Sequence, residues 1–327
     1  MRIVARLHGY PPRHNAGAEW MVHSMLRALV ERGHDVSVWL SRYTDDQVDY
    51  DLDGVHVVPL QSRLDAGTAI RQADVVVSHL ENVPSAGALA RGYGKPLAVI
   101  CHNTHVQSFR EMAGGCELAV YNSYWMTREA ELFFAEYPQG VRPGREVIVR
   151  PPVFADEYRT KPGSRVTLIN LNAEKGGGLF EKLARRMPDV EFLAVVGAYG
   201  EQIVPDLPNV GVVDHMCGHE MRDAVYGRTK ILLMPSSYES WGRAGVEAMA
   251  SGIPVIAHPT PGLCESLGEA GVFIDLHDVD GYEVAIRKLL TSKTEYGLVS
   301  KKAKARSAEL NPASDLAAWC TAVEALA

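Results

Sequence analysis

Two carboxylates, Glu239 and Glu247, lie eight positions apart in the segment MPSSYESWGRAGVEAMASGIPVIA, residues 234–257. A strand is predicted to end at Pro235, and the small residues from Gly242 to Ala250 predict a helix that begins just after Glu239. Glu247 then lies almost two turns into that helix, beside residues small enough to leave room for a ligand. A carboxylate in such a place can accept hydrogen bonds from a diol such as ribose. A structural alternative stays open, in which Glu239 caps the helix and Glu247 is surface charge.

Two further loops carry groups that suit an anion. In HGYPPRHNAGAEW, residues 8–20, Gly17 and Ala18 open a predicted helix whose first backbone N–H groups can bind phosphate. In LINLNAEKGGGLFEKLA, residues 168–184, Lys175 precedes three glycines between a strand and a helix, where it can pair with a phosphate. Neither loop matches GxGxxG or GxxxxGK[ST], which speaks against a dinucleotide site and a P-loop. The alternatives are an ordinary tight turn in the first loop and a solvated lysine in the second.

Composition narrows the classes of function. The chain of 327 residues has 33 Lys and Arg against 40 Asp and Glu, and its net charge of −7 argues against nucleic acid as a partner. No run of about 18 apolar residues is present, and MRIVARLHGYPP suits a first strand better than a signal peptide, so the expected location is the cytoplasm. The cysteines contain no CxxC pair, so no metal site or disulfide framework is predicted, and reduced, mostly buried thiols are expected. They are Cys101, Cys116, Cys217, Cys264 and Cys320.

Short apolar runs rich in Val, Ile and Leu alternate with amphipathic stretches, which predicts βα units and parallel sheets. The first helix is predicted over 18–32, with Gly33 as its stop. The predicted strands are 3–7, 36–40, 55–60, 74–78, 97–102, 118–122 and 147–150 in the first half, and 166–171, 192–197, 211–214, 231–235, 255–258 and 272–275 in the second. This repetition predicts an α/β fold of two doubly wound, Rossmann-like domains.

The predicted domains span residues 1–150 and 151–312, followed by a C-terminal helix over 313–327. Prolines 151, 152 and 162 with Gly163 predict a linker and hinge over 150–165. Ligands of open α/β sheets bind at the carboxyl ends of the strands. We therefore expect the two sheets to face a central cleft that holds the chemistry.

The segment ESWGRAGVEAMASGIPVIA resembles the E-x7-E signature of retaining glycosyltransferases with the GT-B fold, in particular glycosyltransferase family 4. Four other segments are similar to motifs of that family: AGAE (16–19), Lys175-Gly176, ELAVYNSYW (117–125) and PTPGLCES (259–266). The likeness spans about residues 1–280. It implies a retaining transferase that moves a hexose-like sugar from a nucleoside diphosphate to a hydroxyl group. It also implies that the C-terminal helix over 313–327 can cross back to the first domain.

The resemblance also implies roles for individual residues. Glu247 would bind the ribose, Glu239 the transferred sugar, and His102 would lie near the reacting carbon, unless it is a strand-end histidine bonded by backbone. Glu239, His102 and Lys175 are the predicted catalytic residues. Further donor contacts are predicted for Gly17, Ala18, Arg150, Asn170, Ser240, Trp241, Gly242, Arg243 and Ala244, acceptor contacts for Arg13, His14, Asn15 and Asn103 besides His102, and base contacts near Asp214, His215 and Met216.

One position departs from the family pattern. Asn170 stands where the family has an Arg five residues before the Lys, and the lost charge-assisted bond would cost about 1.5 to 3 kcal/mol unless another group replaces it. Arg150 and Arg243 are the candidate substitutes. There are two alternatives to a transferase. One is a non-catalytic protein that binds nucleotide sugars or docks a partner, and the other is a nucleotide-sugar epimerase.

The expected partners are a nucleotide-sugar donor, as co-substrate, and a small-molecule or protein acceptor, with no metal and no cofactor. Fixed amides, a helix start and Lys175 would stabilise the leaving diphosphate in place of a metal. Residues 1–150 hold 15 Lys and Arg against 17 Asp and Glu, so association with a membrane surface is disfavoured. The base, the sugar, the acceptor and the oligomeric state stay open.

Overall fold

Buried strands of β-branched residues alternate with helices along both halves of the chain, as the sequence predicts. The structure, a computed structural model, describes residues 1–42, 48–60, 65–216, 218 and 220–327. It divides into two compact units. The first comprises Met1–Pro152 together with Pro312–Ala327, and the second comprises Val153–Asn311.

The first unit is built on a sheet whose central strands are buried on both faces. Its strands are β1 (Arg2–Leu7), β2 (Asp35–Leu40), β3 (Tyr50–Leu52), β4 (Val55–Val58), β5 (Val75–His79), β6 (Leu97–Cys101), β7 (Leu118–Tyr121) and β8 (Arg145–Ile148). The helices of this half are α1 (Gly17–Glu31), α2 (Ala66–Gln72), α3 (Val83–Gly92), α4 (Val106–Met112) and α5 (Tyr124–Glu136). Over the described residues the strand order is β3-β4-β2-β1-β5-β6-β7-β8. β1 pairs in parallel with β2 and β5, which places it at the centre of the unit.

Helix α1 follows the predicted pattern. It buries Met21, Met25 and Leu29 on one face and ends before Gly33, whose φ of +85° closes the helix in a conformation that glycine adopts without strain. Strand β3 was not predicted. It pairs antiparallel with β4 through a turn at Asp53 and Gly54, both at positive φ, and the Asp-Gly pair is the sequence signal for such a hairpin.

The second unit contains a parallel sheet of the same kind. Its strands are β9 (Arg165–Ile169), β10 (Phe192–Val195), β11 (Val210–Val213), β12 (Thr229–Met234), β13 (Val255–Ala257) and β14 (Gly271–Phe273), in the order β11-β10-β9-β12-β13-β14. The helices are α6 (Ala155–Tyr158), α7 (Gly177–Arg186), α8 (Met221–Ala224), α9 (Arg243–Ala250), α10 (Pro261–Leu267), α11 (Val279–Thr291) and α12 (Lys293–Glu309). The neighbouring strands β9 and β12 lie at the switch in strand order, where ligands of open α/β sheets bind.

The segment 150–165 differs from the predicted linker. Val153 and Tyr158 are buried in the core of the second unit, and residues 155–158 form helix α6. The prolines therefore end regular structure without leaving the segment free of the fold, because its apolar side chains are buried.

The last helix, α13 (Ala313–Glu324), packs within the first unit. Trp319 is fully buried and its indole Nε1 donates a hydrogen bond of 2.9 Å to the carbonyl of Met25 in α1. The carboxylate of Asp315 accepts two bonds from the Arg150 guanidinium, at 2.7 and 2.9 Å. A buried indole and a two-bond ion pair thus fix the end of the chain to the first sheet.

Within the described part of the chain, no helix is both long and apolar enough to cross a membrane. Cys101, Cys116 and Cys320 are buried free thiols and Cys264 is an exposed one, which agrees with the expectation of mostly buried thiols for the described cysteines. Cys217 lies outside the described residues.

Candidate active site

Two loops of the second unit meet at the carboxyl ends of β9 and β12. Lys175 ends a short 3-10 turn after β9, and Glu239 lies in the loop after β12. The Lys175 ammonium donates to Glu239 Oε1 at 2.6 Å, and the Ser236 hydroxyl donates to the same oxygen at 3.1 Å. A backbone bond from the Ser237 N–H to the Glu174 carbonyl, 2.9 Å long, joins the two loops directly. The predicted lysine and the first predicted carboxylate therefore form one ion pair.

Glycines make this close approach possible. Gly176 has a φ of +90°, and a Cβ there would lie 2.4 Å from the Pro235 ring. At Gly262, in α10, a Cβ would lie 2.2 Å from the carbonyl oxygen of Glu239. A larger residue at Gly176 would push the two loops apart, and one at Gly262 would push α10 away from the loop that carries Glu239. Both glycines therefore help to place Glu239 beside Lys175.

The ion pair is mostly buried: the Lys175 side chain is 18% exposed and the Glu239 side chain is 14% exposed. Burial acts to lower the pKa of Lys175, but the Glu239 carboxylate, together with Tyr199 and Glu174, outweighs it and leaves the pKa above its ordinary value. Lys175 is therefore a fixed positive charge at neutral pH. Such a charge at the end of a parallel strand suits a phosphate group.

Glu247 lies in the middle of α9 and is 8% exposed, which excludes the alternative that it is surface charge. Its Oε1 accepts from Arg243 Nε at 2.7 Å and its Oε2 from the Tyr226 hydroxyl at 2.5 Å. Arg243 also donates to the Tyr158 hydroxyl at 2.9 Å. Burial raises the pKa of Glu247, and the bonds from Arg243 and Tyr226 offset only part of that rise. Each carboxylate oxygen keeps a second lone pair with which it can accept a further hydrogen bond.

The two tyrosines of this network were not found from the sequence. Tyr158 and Tyr226 come from segments 89 and 21 positions before Glu247, and neither lies in a recognisable motif. Burial raises the pKa of both phenols, so both stay protonated. The Tyr226 hydroxyl donates to Glu247, and the Tyr158 hydroxyl accepts from Arg243.

The predicted donor residues at the start of α9 occupy different environments. Gly242 precedes the helix with a φ of +82°, and a Cβ there would lie 2.4 Å from Leu263. Trp241 is 2% exposed in the core of the unit, and its Nε1 has no partner among the described residues. Ser240 and Ala244 flank them, and the Ala244 carbonyl accepts from Tyr226 at 3.4 Å. The first N–H groups of this helix create a region of positive potential that follows Glu239 closely in the sequence.

The Asn170 side chain stabilises the conformation of the loop that follows β9. It has a φ of +66° and is 8% exposed, and its Oδ1 accepts from the Asn172 N–H and from Gln202 Nε2. Gln202 in turn accepts from the N–H groups of Leu171 and Gly197. The side chain of Asn170 thus ties the end of β9 to the loop after β10, a role that an exposed Arg would not fill.

The two candidate substitutes for the missing Arg differ. Arg150 belongs to the first unit, where Asp315 already neutralises its charge. Arg243 belongs to the second unit, next to Glu247, and its Nη1 is buried without a partner among the described residues. Burial acts to lower the pKa of Arg243, but Tyr158 and Glu247 outweigh it and keep the group charged.

Histidines from three neighbouring strands of the first unit lie close together. His8 follows β1, His79 ends β5 and His102 follows β6. His79 Nδ1 and His102 Nε2 are 2.9 Å apart, and His8 and His79 stack with their ring centroids 5.2 Å apart. Burial lowers the pKa of His102 to about 4, a shift that Glu19 opposes, and lowers the pKa of His79 well below its ordinary value. Both rings are therefore neutral at pH 7, and His102 bonds to a second histidine, a partner that the sequence did not reveal.

The other predicted acceptor residues make contacts within the first unit. Arg13 stacks over the Tyr50 ring at 4.2 Å, His14 Nε2 lies 3.7 Å from Glu19 Oε1, and Asn15 accepts from the Trp20 indole. Asn103 Oδ1 accepts from the His105 N–H and the Ser108 hydroxyl, so it stabilises the turn that leads into α4. Gly17 and Ala18 begin α1, and nothing lies within 4 Å of where a Cβ of Gly17 would be.

The fold is shared with solved structures of sugar-transferring enzymes. Sucrose-phosphate synthase from Thermosynechococcus elongatus superimposes with a TM-score of 0.76 at 15% identity, covering 100% of this chain and 98% of that one. Anabaena HepE, solved in complex with UDP-glucose, superimposes with a TM-score of 0.75 at 16% identity, covering 99% and 98%. These likenesses establish the GT-B fold with its two Rossmann-like domains.

Two sequence families match separate parts of the chain. "Glycosyl transferase 4-like domain" matches residues 16–169, and "Glycosyl transferases group 1" matches residues 208–306, together about three quarters of the chain. The chain belongs to the GT-B glycosyltransferases of the family 4-like type. The family 4-like assignment predicted from the E-x7-E segment is thereby confirmed.

Curated relatives of this family 4-like protein carry different activities. It is 30% identical to a D-inositol 3-phosphate glycosyltransferase of Corynebacterium kroppenstedtii, over 45% of this chain and 30% of that protein. It is 25% identical to a glycogen synthase of Mycobacterium tuberculosis, over 100% of this chain and 94% of that protein. The first alignment thus covers less than a third of its relative.

Proposed function

We propose that this protein is a retaining, metal-independent glycosyltransferase that moves a hexose-like sugar from a nucleoside diphosphate to a hydroxyl of a small-molecule or protein acceptor. The Lys175–Glu239 ion pair at the meeting point of two strand-end loops carries the proposal. In the resting protein, Glu239 holds the ammonium in place. When a donor binds, the diphosphate shares that ammonium with Glu239, whose second oxygen can accept from a sugar hydroxyl.

Glu247 supports the donor half of the proposal. A buried carboxylate held by Arg243 and Tyr226 is an oriented acceptor for the two hydroxyls of a ribose. Arg243, with its unpartnered Nη1, supplies the charge that Asn170 lacks. Two anionic groups and two cationic groups in one unit thus match a ligand that carries both hydroxyls and phosphates.

Transfer then follows from charge stabilisation. The bond between the sugar C1 and the diphosphate oxygen breaks, and its electron pair leaves with the diphosphate. Lys175 and the first N–H groups of α9 stabilise that charge without a metal. The acceptor oxygen bonds to C1 on the same face, and its proton passes to the departing phosphate. Glu239 and neutral His102 orient the reacting groups and form no covalent bond to the sugar.

The first unit would supply the acceptor side, with Arg13, His14, Asn15, His102 and Asn103 as the proposed contacts, and Gly17 and Ala18 would add amides toward the diphosphate. These assignments rest on the resemblance to the family. Glycogen synthase and D-inositol 3-phosphate glycosyltransferase act on sugar or polyol hydroxyls by name, which favours a polyhydroxyl acceptor for this chain as well.

A thermal-shift panel tests the donor site. UDP, the nucleotide bound by HepE, is compared with GDP, ADP, dTDP, CMP and NAD at about 1 mM, since a ligand at about 100 times its dissociation constant adds about 2.7 kcal/mol to the free energy of unfolding. We expect one nucleoside diphosphate to raise the Tm by several degrees. Glu247→Gln should abolish that rise, whereas exposed Glu269→Gln should keep it. A rise that survives in Glu247→Gln, or no rise with any diphosphate, would contradict the proposal.

Turnover of the donor distinguishes a transferase from a non-catalytic protein that only binds nucleotide sugars. Asn170 motivates it, because the family charge at that position is missing. A protein that only binds nucleotide sugars would show the Tm rise but would release no nucleoside diphosphate from a donor. An epimerase would convert the donor sugar without any acceptor, which mass spectrometry and NMR of the donor distinguish.

A further inference from the structure

A buried cluster in the first unit combines two imidazoles and a carboxylate. His8 follows β1, Glu19 lies in the first turn of α1, and His79 ends β5. Because β1 and β5 are neighbouring parallel strands, their carboxyl ends lie side by side, and the start of α1 is above the same edge. The three residues are 5%, 2% and 0% exposed.

The spacing of their polar atoms suits one small cation. One nitrogen or oxygen from each of the three side chains lies within 4.8 Å of those of the other two. His8 Nε2 and Glu19 Oε1 are already 3.0 Å apart. Ligand atoms of a tetrahedral zinc ion at bond lengths near 2.0 Å lie about 3.3 Å from one another, so side-chain movements of about 1 Å would close the set.

Two polar atoms of the cluster lack a partner although they are buried. Glu19 Oε2 and His79 Nε2 have no hydrogen bond within the described structure. Leaving a buried polar atom unbonded costs about 1 to 3 kcal/mol, so such atoms are rare without a ligand or a water. A shared cation would satisfy both.

A hydrogen bond from a neighbouring residue orients the His79 ring, as is common for histidines in metal sites. His102 holds His79 Nδ1 at 2.9 Å, which leaves Nε2 as the free coordinating atom of His79. Histidines that bind metals bond through their other ring nitrogen to a fixed partner in this way. His14 Nε2, 3.7 Å from Glu19 Oε1, lies within reach of the same place.

We propose that His8, Glu19 and His79 bind one divalent transition-metal ion, of which Zn²⁺ is the best match to a two-histidine, one-carboxylate set. Three protein ligands leave one tetrahedral position for a water or a hydroxyl oxygen. His102 acts as the positioning residue of His79. No metal site was predicted from the sequence, because the three ligands lie 11 and 60 positions apart and form no motif. This inference does not depend on the proposed transfer reaction, whose diphosphate is stabilised by groups of the second unit.

The test measures metal binding by the full chain without any sugar nucleotide. The chelator-treated protein is titrated with Co²⁺, whose visible spectrum reports tetrahedral coordination, and with Zn²⁺ against a competing chelator. We expect one ion per chain. Glu19→Gln and His79→Gln, which nearly keep side-chain size, should each lower Zn²⁺ affinity by more than about 100-fold, and His102→Ala by about 10- to 100-fold.

His56→Ala is the matched control, because His56 is an exposed histidine with Asp51 and Asp49 near its two nitrogens. It should leave both the Co²⁺ spectrum and the Zn²⁺ affinity unchanged. Far-UV circular dichroism of each metal-free variant checks that it is folded, and either ligand variant alone suffices for the comparison. Less than one equivalent of bound metal, an octahedral Co²⁺ spectrum, or equal affinity in the folded ligand variants and His56→Ala would overturn the proposal.

Discussion

Replacing Lys175 by Met separates the two roles of this lysine, which are to hold Glu239 and to bind a diphosphate. Met keeps most of the length of the side chain and removes the charge. The ammonium lies 2.6 Å from Glu239 Oε1, and both side chains are mostly buried. Its loss removes one charge-assisted bond to the ligand, worth about 1.5 to 3 kcal/mol, which corresponds to a dissociation constant about 10 to 150 times higher.

The same substitution leaves the Glu239 carboxylate without its cation. A fully buried pair would lose about 3 to 5 kcal/mol, and the partial exposure of this pair reduces the expected loss in the free energy of unfolding to about 1 to 3 kcal/mol. The double variant Lys175→Met, Glu239→Gln removes both charges. It should regain most of the stability but none of the affinity for the nucleoside diphosphate, because that ligand carries no sugar for Glu239 to contact.

Isothermal titration calorimetry with the nucleoside diphosphate identified by the thermal-shift panel measures affinity, and urea unfolding measures stability. Lys182→Met, on the exposed side of α7, is the control and should change neither quantity appreciably. Lys175 does not have these two roles if Lys175→Met binds the nucleoside diphosphate as tightly as Lys182→Met, or if the double variant recovers the affinity together with the stability.

Two further substitutions test how the structure is held together. Gly262→Ala places a Cβ 2.2 Å from the Glu239 carbonyl oxygen, so it should lower kcat/KM for the donor by at least about 10-fold. Gly297→Ala is the control, because nothing lies within 4 Å of its Cβ, and it should leave kcat/KM unchanged. Equal effects of the two substitutions would show that Gly262 does not help to place Glu239. Trp319→Ala removes a fully buried indole that donates a hydrogen bond to the Met25 carbonyl, so urea unfolding should show a free energy of unfolding lower by about 3 to 5 kcal/mol. A decrease below about 1 kcal/mol would mean that α13 does not stabilise the first unit.

The strands could be predicted from the sequence because both faces of a parallel sheet are buried. Val75–Val77 and Leu97–Cys101 are runs that are apolar throughout, so the boundaries of their strands are recognised to within one or two residues. Strand β3, three residues long, was too short to form such a run. The Asp-Gly pair at 53–54 was the signal that could have revealed it.

The candidate site could be predicted only where its residues lie in one segment. Glu239, Gly242 and Glu247 share a loop and a helix, so their spacing already indicates their arrangement. Tyr226, Tyr158 and Gln202 reach the site from distant parts of the chain through the order of the strands, and nothing local marks them. His79 escaped notice for the same reason, because a histidine at the end of a buried strand looks ordinary until its neighbours are known.

The pairing of Lys175 with Glu239 could not be predicted either. Their loops follow β9 and β12, which are 60 residues apart in the chain but adjacent in the sheet. Likewise Asn170 was interpreted as the loss of a charge, whereas the structure shows what the amide does in its place: it braces the loop through Gln202 and Asn172.

The proposed transfer of a sugar with retention is tested most directly by proton NMR of the sugar released from its nucleotide. The full chain is incubated with the sugar nucleotide whose base the thermal-shift panel identifies, with water as the acceptor. We predict that nucleoside diphosphate accumulates and that the sugar first appears with the anomeric configuration of the donor, before mutarotation, and that both signals vanish in Glu247→Gln. A donor that stays intact although its nucleotide binds, or a sugar released with the opposite configuration, would contradict the proposed function.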